Sequence, residues 1–259
     1  MEENTNLKNF DVIVLDYGLS AKQKSVLKEK KVIVKKCVRD GHVNIIRFRD
    51  MHEFLEKHKY DQILAVDSGD LFFQGDITPA FETDKDYFRG VFEEFRGPYW
   101  ILFSLFFPKK YFEKNSAKKI RDSFRKNKMI NAGAIYGPAD KFVALCEEFN
   151  RLLLDRSKFG PDQVVINYLL YKLGFKQTKP KYNYVIWTVP GDFYIKDGAY
   201  YFTSGEKITV VHNAGGFSFN RPITNFGYGK SYNKLKLRTM YLKKFLFKVK
   251  FVEEFFLKI

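Results

Sequence analysis

The N-terminal part of the chain alternates between short apolar runs and helical patterns, and this alternation constrains the fold more than any other feature. The apolar runs are FDVIVLD, KVIVKKCV and QILAV, and the helical patterns between them are AKQKSVLKEK and RDMHEFLEKHKY. Strands that alternate with helices are typical of α/β proteins, in which helices cross over between parallel strands. We therefore predict an α/β fold over residues 1–229, with a mixed, mainly parallel central sheet flanked by helices.

The middle of the chain carries two stronger helical patterns. They are ADKFVALCEEFNRLLLD, which follows Pro138, and PDQVVINYLLYKLG, which begins at Pro161 and ends at Gly174. Proline at the first turn and glycine at the end are typical helix boundaries. The segments DYFRGVFEEF, MINAGAIYG, VIWTV, YYFTS and ITVVHN are strand-like.

Two aspartates follow the QILAV strand. Asp67 and Asp70 enclose a Ser-Gly pair, and one interpretation is a simple turn, because all of these are turn residues. However, ligands of open α/β sheets bind where strands end, and a carboxylate removed from water needs a partner. Asn131 in MINAGAIYG and His212 after ITVV are polar residues at two further expected strand ends. Together these residues predict a binding site at the edge of the sheet.

The composition restricts the partners and the compartment. The formal net charge of +15 favours an anionic partner, such as a phosphorylated small molecule, an anionic membrane or nucleic acid. Two cysteines make no disulfide framework and favour a reducing compartment. The chain has no long apolar stretch and starts without a signal-peptide pattern, so we expect a cytoplasmic protein.

Spacing excludes several short motifs. HEFLEKH places its histidines too far apart for a zinc-protease motif, and GYGKS lacks the earlier glycine of a P-loop because position 224 is Thr224. No GxGxxG, GxSxG or CxxC pattern is present. Nucleic-acid binding has only the charge in its favour, because no recognisable binding module occurs.

The motifs DSGDLFFQGDI, NAGAIYG, PDQVVIN and VVHNAGG follow one another in this order, after LDYGLSAKQKSVL near the N-terminus. This ordered set resembles nucleotide-sugar glycosyltransferases of the GT-A fold, in particular family eight and its relatives, over roughly residues 10–216. The resemblance implies a GT-A fold and the transfer of a sugar from a nucleotide diphosphate donor, a UDP-sugar first of all. The acceptor would be a glycan or lipid-linked, as in polysaccharide biosynthesis, and the anomeric configuration would be retained.

The resemblance also implies a divalent cation, Mn²⁺ or Mg²⁺, held by Asp67, Asp70 and His212. Such a cation prefers carboxylate oxygens and neutralises the charge that develops on a leaving diphosphate. Asp162 and Gln163 would face the transferred sugar. Asn131, the third catalytic residue that the resemblance implies, would hydrogen-bond the donor sugar or position the acceptor. The residues assigned to donor binding are Ser68, Gly69, Gly133 and Gly215.

Structural interpretations of some of these residues remain open. Asn131 could serve only to satisfy backbone groups, Asp162 could cap its helix, and His212 could be a structural histidine. Glu93 and Glu94 could face an acceptor, although two adjacent strand residues point to opposite faces.

The sequence departs from the family in three places. The DSGD motif is one residue longer than a DxD motif, so Asp70 matches the family better than Asp67. No lysine follows HNAG, and Arg221 or Lys230 would have to replace it at the diphosphate. The family also has a strand before the one at Phe10; either it is missing, or FDVIVLDYG replaces it and Asp16 contacts the base. A missing strand favours a second hypothesis, a non-catalytic module that binds a glycan or a partner protein.

Residues 230–259 form a separate, basic tail. Nine Lys or Arg residues stand there against Glu253 and Glu254, and apolar residues recur at helical spacing from Leu237 to Ile259. A basic amphipathic helix is typical of peripheral binding to an anionic membrane surface. A helix that packs on the body of the protein is the alternative.

Overall fold

A computed structural model gives the structure of the chain. It describes residues 4–94, 111–158, 160–186 and 188–214, together with residues 223, 233, 235, 236, 238, 239 and 242. The helices are α1 Ala21–Glu29, α2 Val43–Leu55, α3 Thr78–Glu82, α4 Ser116–Lys126, α5 Ala139–Leu152 and α6 Pro161–Leu173. A short 3₁₀ helix spans Pro180–Tyr182.

The strands form four small sheets among the described residues. The strands are β1 Ile13–Asp16, β2 Ile33–Lys36, β3 Gln62–Val66, β4 Leu71–Phe73, β5 Phe88–Gly90, β6 Ala134–Pro138, β7 Phe175–Gln177, β8 Tyr184–Val185, β9 Phe193–Lys196, β10 Ala199–Phe202 and β11 Val210–His212. Their orders are β3-β6-β5-β7, β4-β11-β8, β1-β2 and β10-β9. The expected α/β class is therefore confirmed.

The expectation of mainly parallel pairing is wrong. β6 runs antiparallel to both β3 and β5, and β11 runs antiparallel to β4. The pairs β1-β2, β5-β7 and β11-β8 are parallel. The reason is that β6 lies between β3 and β5 in the sheet and runs antiparallel to both, although β3 and β5 come earlier in the sequence. The helices therefore do not connect neighbouring parallel strands, as the sequence pattern suggested.

Local sequence explains where several elements begin and end. α1 starts with a capping box between Ser20 and Gln23. α5 starts after Pro138 and α6 starts at Pro161, and α6 ends at Gly174, as predicted. The β9-β10 hairpin, which the sequence analysis missed, turns through Asp197 and Gly198, both with positive φ. An Asp-Gly pair between two strands is a common signal for such a turn.

Two predicted segments have different bounds in the structure. The second helix was expected over residues 49–60, but α2 spans Val43–Leu55, since His42 caps its start by accepting a hydrogen bond from the Asn44 N–H. In MINAGAIYG only Ala134–Pro138 forms the strand, so Asn131 precedes β6 instead of following a strand. QILAV is half-buried to exposed, not fully buried.

The main core lies between α2, α5, α6 and the β3-β6-β5-β7 sheet. The amphipathic α5 buries one apolar face, formed by Phe142, Leu145, Cys146, Phe149 and Leu152. On α6, the buried Asn167 donates to the Ile130 carbonyl oxygen and accepts from the Ile130 N–H, at 2.9 and 2.6 Å. This pair of bonds fixes the segment that leads into β6 and thereby positions Asn131 and Gly133.

Most of the basic tail lies outside the described residues. Those that the structure describes between 235 and 242 are helical, and Leu235 and Leu242 are exposed. Among the described residues, no helix is both long and apolar enough to cross a membrane. Cys146 is buried and Cys37 is half-buried, and both are free thiols.

Candidate functional site

Strand register brings the DSGD turn against two distant segments. Val66 lies opposite Ala134 in the β3-β6 pair, and the Asp67 N–H donates to the Gly133 carbonyl at 2.8 Å. Leu71 lies opposite His212 in the β4-β11 pair, and the Asn213 N–H donates to the Asp70 carbonyl at 2.7 Å. The turn therefore joins two sheets, with one aspartate at the edge of each.

The side chains of Asp67 and His212 border Gly133, and Asp70 lies next to His212. The Nε2 atom of His212 lies 3.7 Å from Oδ1 of Asp70. A Cβ added to Gly133 would clash with the His212 ring and would lie 3.0 Å from Oδ2 of Asp67. Only glycine fits between the imidazole and the carboxylate, so the structure brings together four of the residues that the sequence singled out.

The two residues inside the turn face solvent. Ser68 and Gly69 are exposed, whereas Asp70 and His212 are buried. Gly69 has a φ of 90°, a backbone conformation that residues with a side chain rarely adopt. The glycine therefore allows the chain to reverse tightly, so that one short loop carries both the half-buried Asp67 and the buried Asp70.

Arg47 on α2 is part of the site, although the sequence analysis did not select it. Its guanidinium forms an ion pair with Asp67 through Nη1, and its Nη2 lies 4.0 Å from Oδ2 of Asp162. The Arg47 side chain is 15% exposed. Burial disfavours its charge, but attraction to Asp67 and Asp162 outweighs burial and raises the pKa of Arg47. The guanidinium thus lies between two carboxylates from different elements.

Asp162 lies in the first turn of α6 and its side chain is almost fully buried. Burial raises the pKa of its carboxyl, and the nearby Asp67 raises it further, while Arg47 and the first-turn backbone N–H groups lower it. The helix-start interpretation of Asp162 is therefore consistent with the structure. The ion-pair distance to Arg47 adds a contact that places Asp162 at the same site as Asp67.

Gln163 and Asn131 are both engaged in internal hydrogen bonds. Gln163 Nε2 donates to the Ile130 carbonyl at 2.8 Å. Asn131 is buried, donates through Nδ2 to Glu93 Oε1 at 2.5 Å, and accepts at Oδ1 from the Gly133 N–H at 3.0 Å. Both side chains therefore hold the backbone beside Gly133 in place. Glu93 points into the protein, where it is 5% exposed, and not towards an acceptor.

Asp16 is held within its own loop. Its carboxylate accepts from the Gly18 and Leu19 N–H groups at 2.8 and 2.6 Å and pairs with Lys24 at 2.8 Å. The hydrogen bond from Lys24 and those from the two backbone groups lower the pKa of Asp16 to about 2. These contacts give Asp16 a structural role at the start of α1. Gly215, Arg221 and Lys230 lie outside the described residues.

The oxygen and nitrogen atoms at the site are only partly arranged to bind a divalent cation. Among the described residues, no group of three or more His, Cys, Asp or Glu side chains is already arranged around one point. Yet His212 Nε2 is buried and makes no hydrogen bond within the described part of the chain, and two carboxylates lie beside it. The residues therefore fit a hard cation with mixed oxygen and nitrogen ligands, provided that Asp67 moves away from Arg47.

No family model matches the chain, and no curated protein matches it. What the protein does must therefore be inferred from the site itself. Its chemical features are a pair of carboxylates on a tight turn, a buried imidazole, a glycine that leaves no side chain between them, and an arginine that bridges to a buried carboxylate.

Proposed function

We propose that this protein is a metal-dependent glycosyltransferase of the GT-A fold. It would move a sugar from a nucleotide diphosphate donor, a UDP-sugar first of all, to a glycan or lipid-linked acceptor, with retention of configuration. The single observation that carries the proposal is the convergence of Asp67, Asp70, Gly133 and His212 from three separate segments. In the motifs that resemble family eight, Asp70 and His212 match residues that bind the family's cation and Gly133 matches its donor site, whereas Asp67 matches less well because the DSGD motif is one residue longer.

Asp70, His212 and Asp67 would hold a Mn²⁺ or Mg²⁺ ion. When bound, such an ion neutralises the charge that develops on a diphosphate leaving group. Asp70 and His212 already lie 3.7 Å apart, so they form the better-organised half of the site. Asp67 would join them on exchanging its Arg47 partner for the cation.

Arg47 and Asp162 would contribute on the sugar side of the site. Once Asp67 turns to the cation, the guanidinium keeps Asp162 as its partner and has hydrogen-bond donors to spare for hydroxyl or phosphate oxygens. Asp162 offers a buried acceptor for a sugar hydroxyl. Gly133, which has no side chain, leaves space for the donor next to the imidazole.

A thermal-shift panel of UDP-, GDP- and dTDP-sugars, with and without Mn²⁺, tests the proposal. A ligand at one hundred times its Kd stabilises the folded state by about 2.7 kcal/mol, so the right donor gives a clear, Mn²⁺-dependent rise in Tm. Asp70→Asn removes one ligand charge and should abolish that rise. Asp192→Asn is the matched control, because Asp192 is exposed and the same change there should leave the rise intact.

A non-catalytic binding module is the second candidate. It is favoured by Asp67, which is already paired with Arg47, and by Asn131, whose described hydrogen bonds all point into the protein. This candidate predicts no Tm shift with any nucleotide sugar, with or without Mn²⁺. It also predicts that a glycan array retains the protein in the presence of a chelator.

Peripheral membrane association through residues 235–259 is a further part of the proposal. It is supported by the charge of the tail and by the exposed Leu235 and Leu242. Deleting residues 235–259 should abolish co-sedimentation with anionic liposomes while the Tm of the remaining chain is kept. Equal binding before and after the deletion would contradict the association.

A further inference from the structure

A continuous chain of buried polar side chains runs behind the candidate cation site. It links Glu93, Asn131, Asn183 and His212, which come from four separate segments and are between 0% and 6% exposed. Asn183 donates through Nδ2 to Asn131 Oδ1 at 3.0 Å, and its Oδ1 lies 3.1 Å from His212 Nδ1. Buried polar groups of this kind are costly unless each donor meets an acceptor.

Only one orientation of the Asn131 and Asn183 amides satisfies the hydrogen bonds that link these four side chains. A backbone N–H only donates hydrogen bonds. The Gly133 N–H therefore requires Asn131 Oδ1, which leaves Asn131 Nδ2 to donate to Glu93 Oε1. With Asn131 Oδ1 turned towards Asn183, the Asn183 amide must present Nδ2 to it. Asn183 Nδ2 also lies 3.5 Å from the Ala134 carbonyl, which supports the same orientation.

The remaining atom of the Asn183 amide, Oδ1, faces His212. A carbonyl oxygen accepts only, so the hydrogen of a neutral His212 ring must sit on Nδ1. The lone pair is then on Nε2, which is buried, lies 3.7 Å from Asp70 Oδ1 and has no hydrogen bond within the described residues. A lone pair and a carboxylate oxygen that face each other repel, and a cation between them turns the repulsion into attraction.

We propose that Glu93, Asn131 and Asn183 are positioning residues that hold His212 in the Nδ1–H tautomer and so present its Nε2 lone pair to a divalent cation beside Asp70. The naming of the cation rests on the proposed function, whereas the tautomer follows from the hydrogen bonds alone. Outer hydrogen bonds of this kind orient the imidazoles that bind metals in proteins, and losing them weakens metal binding by about 10- to 100-fold.

Nitrogen NMR of the metal-free full chain, labelled with ¹⁵N-histidine, measures the tautomer directly. The sequence has 4 histidines, and the His212→Gln spectrum identifies the signals of His212. In the wild-type protein we expect a protonated Nδ1 and an unprotonated Nε2. A His212 ring protonated at Nε2 only, or at both nitrogens, would overturn the proposal.

Two substitutions of Asn183 separate positioning from general structural damage. Asn183→Leu removes the acceptor, so the hydrogen should move to Nε2, where Asp70 can accept it. Asn183→Asp keeps an acceptor for His212 while disturbing Asn131, so the Nδ1–H tautomer should persist. His58, whose Nδ1 lies 2.8 Å from the Phe54 carbonyl, is the internal reference and should not change. The same tautomer in both variants would overturn the proposal.

Calorimetric titration with Mn²⁺ alone tests the cation. We expect Asn183→Leu to weaken Mn²⁺ binding by at least about 10-fold, and Asn183→Asp to weaken it less. Equal Mn²⁺ affinity in the wild type and Asn183→Leu, or no Mn²⁺ binding to the wild type, would overturn the cation part. If Mn²⁺ affinity falls in the order wild type, Asn183→Asp, Asn183→Leu, but no nucleotide sugar shifts the Tm, the glycosyltransferase proposal is refuted. The proposed positioning role of Glu93, Asn131 and Asn183 would still hold.

Discussion

Replacing Arg47 by methionine keeps most of the side-chain volume but removes the positive charge between Asp67 and Asp162. Two unit charges 4.0 Å apart, the distance from Arg47 Nη2 to Asp162 Oδ2, attract by about 4 kcal/mol at an effective dielectric constant of about 20. Removing one partner of a buried pair costs about 3–5 kcal/mol, because the other charge stays buried without compensation. We expect Arg47→Met to lower the free energy of unfolding by about 3 kcal/mol at neutral pH.

The pH dependence of that loss tests its cause. Burial raises the pKa of Asp162 above that of an unfolded aspartate, and Arg47 limits the rise. A carboxyl whose folded-state pKa is raised favours the folded state when protonated and disfavours it as pH rises through that pKa. Without Arg47 the pKa rises further. The stability gap between wild type and Arg47→Met should therefore narrow as the pH is lowered from neutral into the acidic range.

Urea unfolding followed by circular dichroism measures both effects. Asp162→Asn in the Arg47→Met background should recover part of the loss, since the uncompensated charge is then gone. Arg39→Met is the control, because Arg39 is exposed and such surface changes stay within about 0.5 kcal/mol. A loss below about 1 kcal/mol for Arg47→Met, or a gap that does not change with pH, would refute the reasoning.

Three further substitutions test other parts of the structure. Gly133→Ala pushes a methyl group into the His212 ring, so it should cost about 1–3 kcal/mol in urea unfolding and abolish Mn²⁺ binding in calorimetry. Gln74→Leu removes the acceptor of the Tyr200 N–H and the side-chain donor to the Ile208 carbonyl; unfolding stability should fall by about 1–3 kcal/mol, and an unchanged stability would contradict this. Asp16, with a pKa of about 2, stabilises the fold above its unfolded pKa. The advantage of wild type over Asp16→Asn in thermal melts should thus fade from about pH 4 to about pH 2.

The sequence predicted the elements whose signals are local. The helices α5 and α6 have the expected starts: Pro138 is the extended N-cap residue before α5, and Pro161, whose fixed φ suits a first helical turn, is the first residue of α6. Strand direction was not predictable, because apolar periodicity is the same whether a neighbour runs parallel or antiparallel. β6 pairs with β3 across the long segment between Val66 and Ala134, and no local pattern indicates that pairing.

Several residues of the candidate site were predicted from the sequence, but Asn131 was selected for a reason that the structure contradicts. Asn131 was expected at the end of a strand, yet it precedes β6 and reaches the site because β6 runs antiparallel to β3. Arg47 was missed because α2 was expected to start at residue 49, which left this arginine outside any helix. Asn183 lies in KYNYV, where no pattern marks it, and only the folded chain shows that it links Asn131 to His212.

The distribution of charge adds a last argument for a cation. The protein has a formal net charge of +15, yet the candidate site contains several carboxylates. They are Asp67, Asp70, Asp162 and, further away, Glu93. Among the described contacts, Arg47 is the positively charged side chain that lies between Asp67 and Asp162. Such a group of carboxylates repels a diphosphate when nothing intervenes. A basic surface attracts an anionic ligand from a distance, and a divalent cation beside Asp70, as proposed above, would offset the repulsion at close range. The charges at the site therefore favour an anionic ligand that binds together with a metal ion.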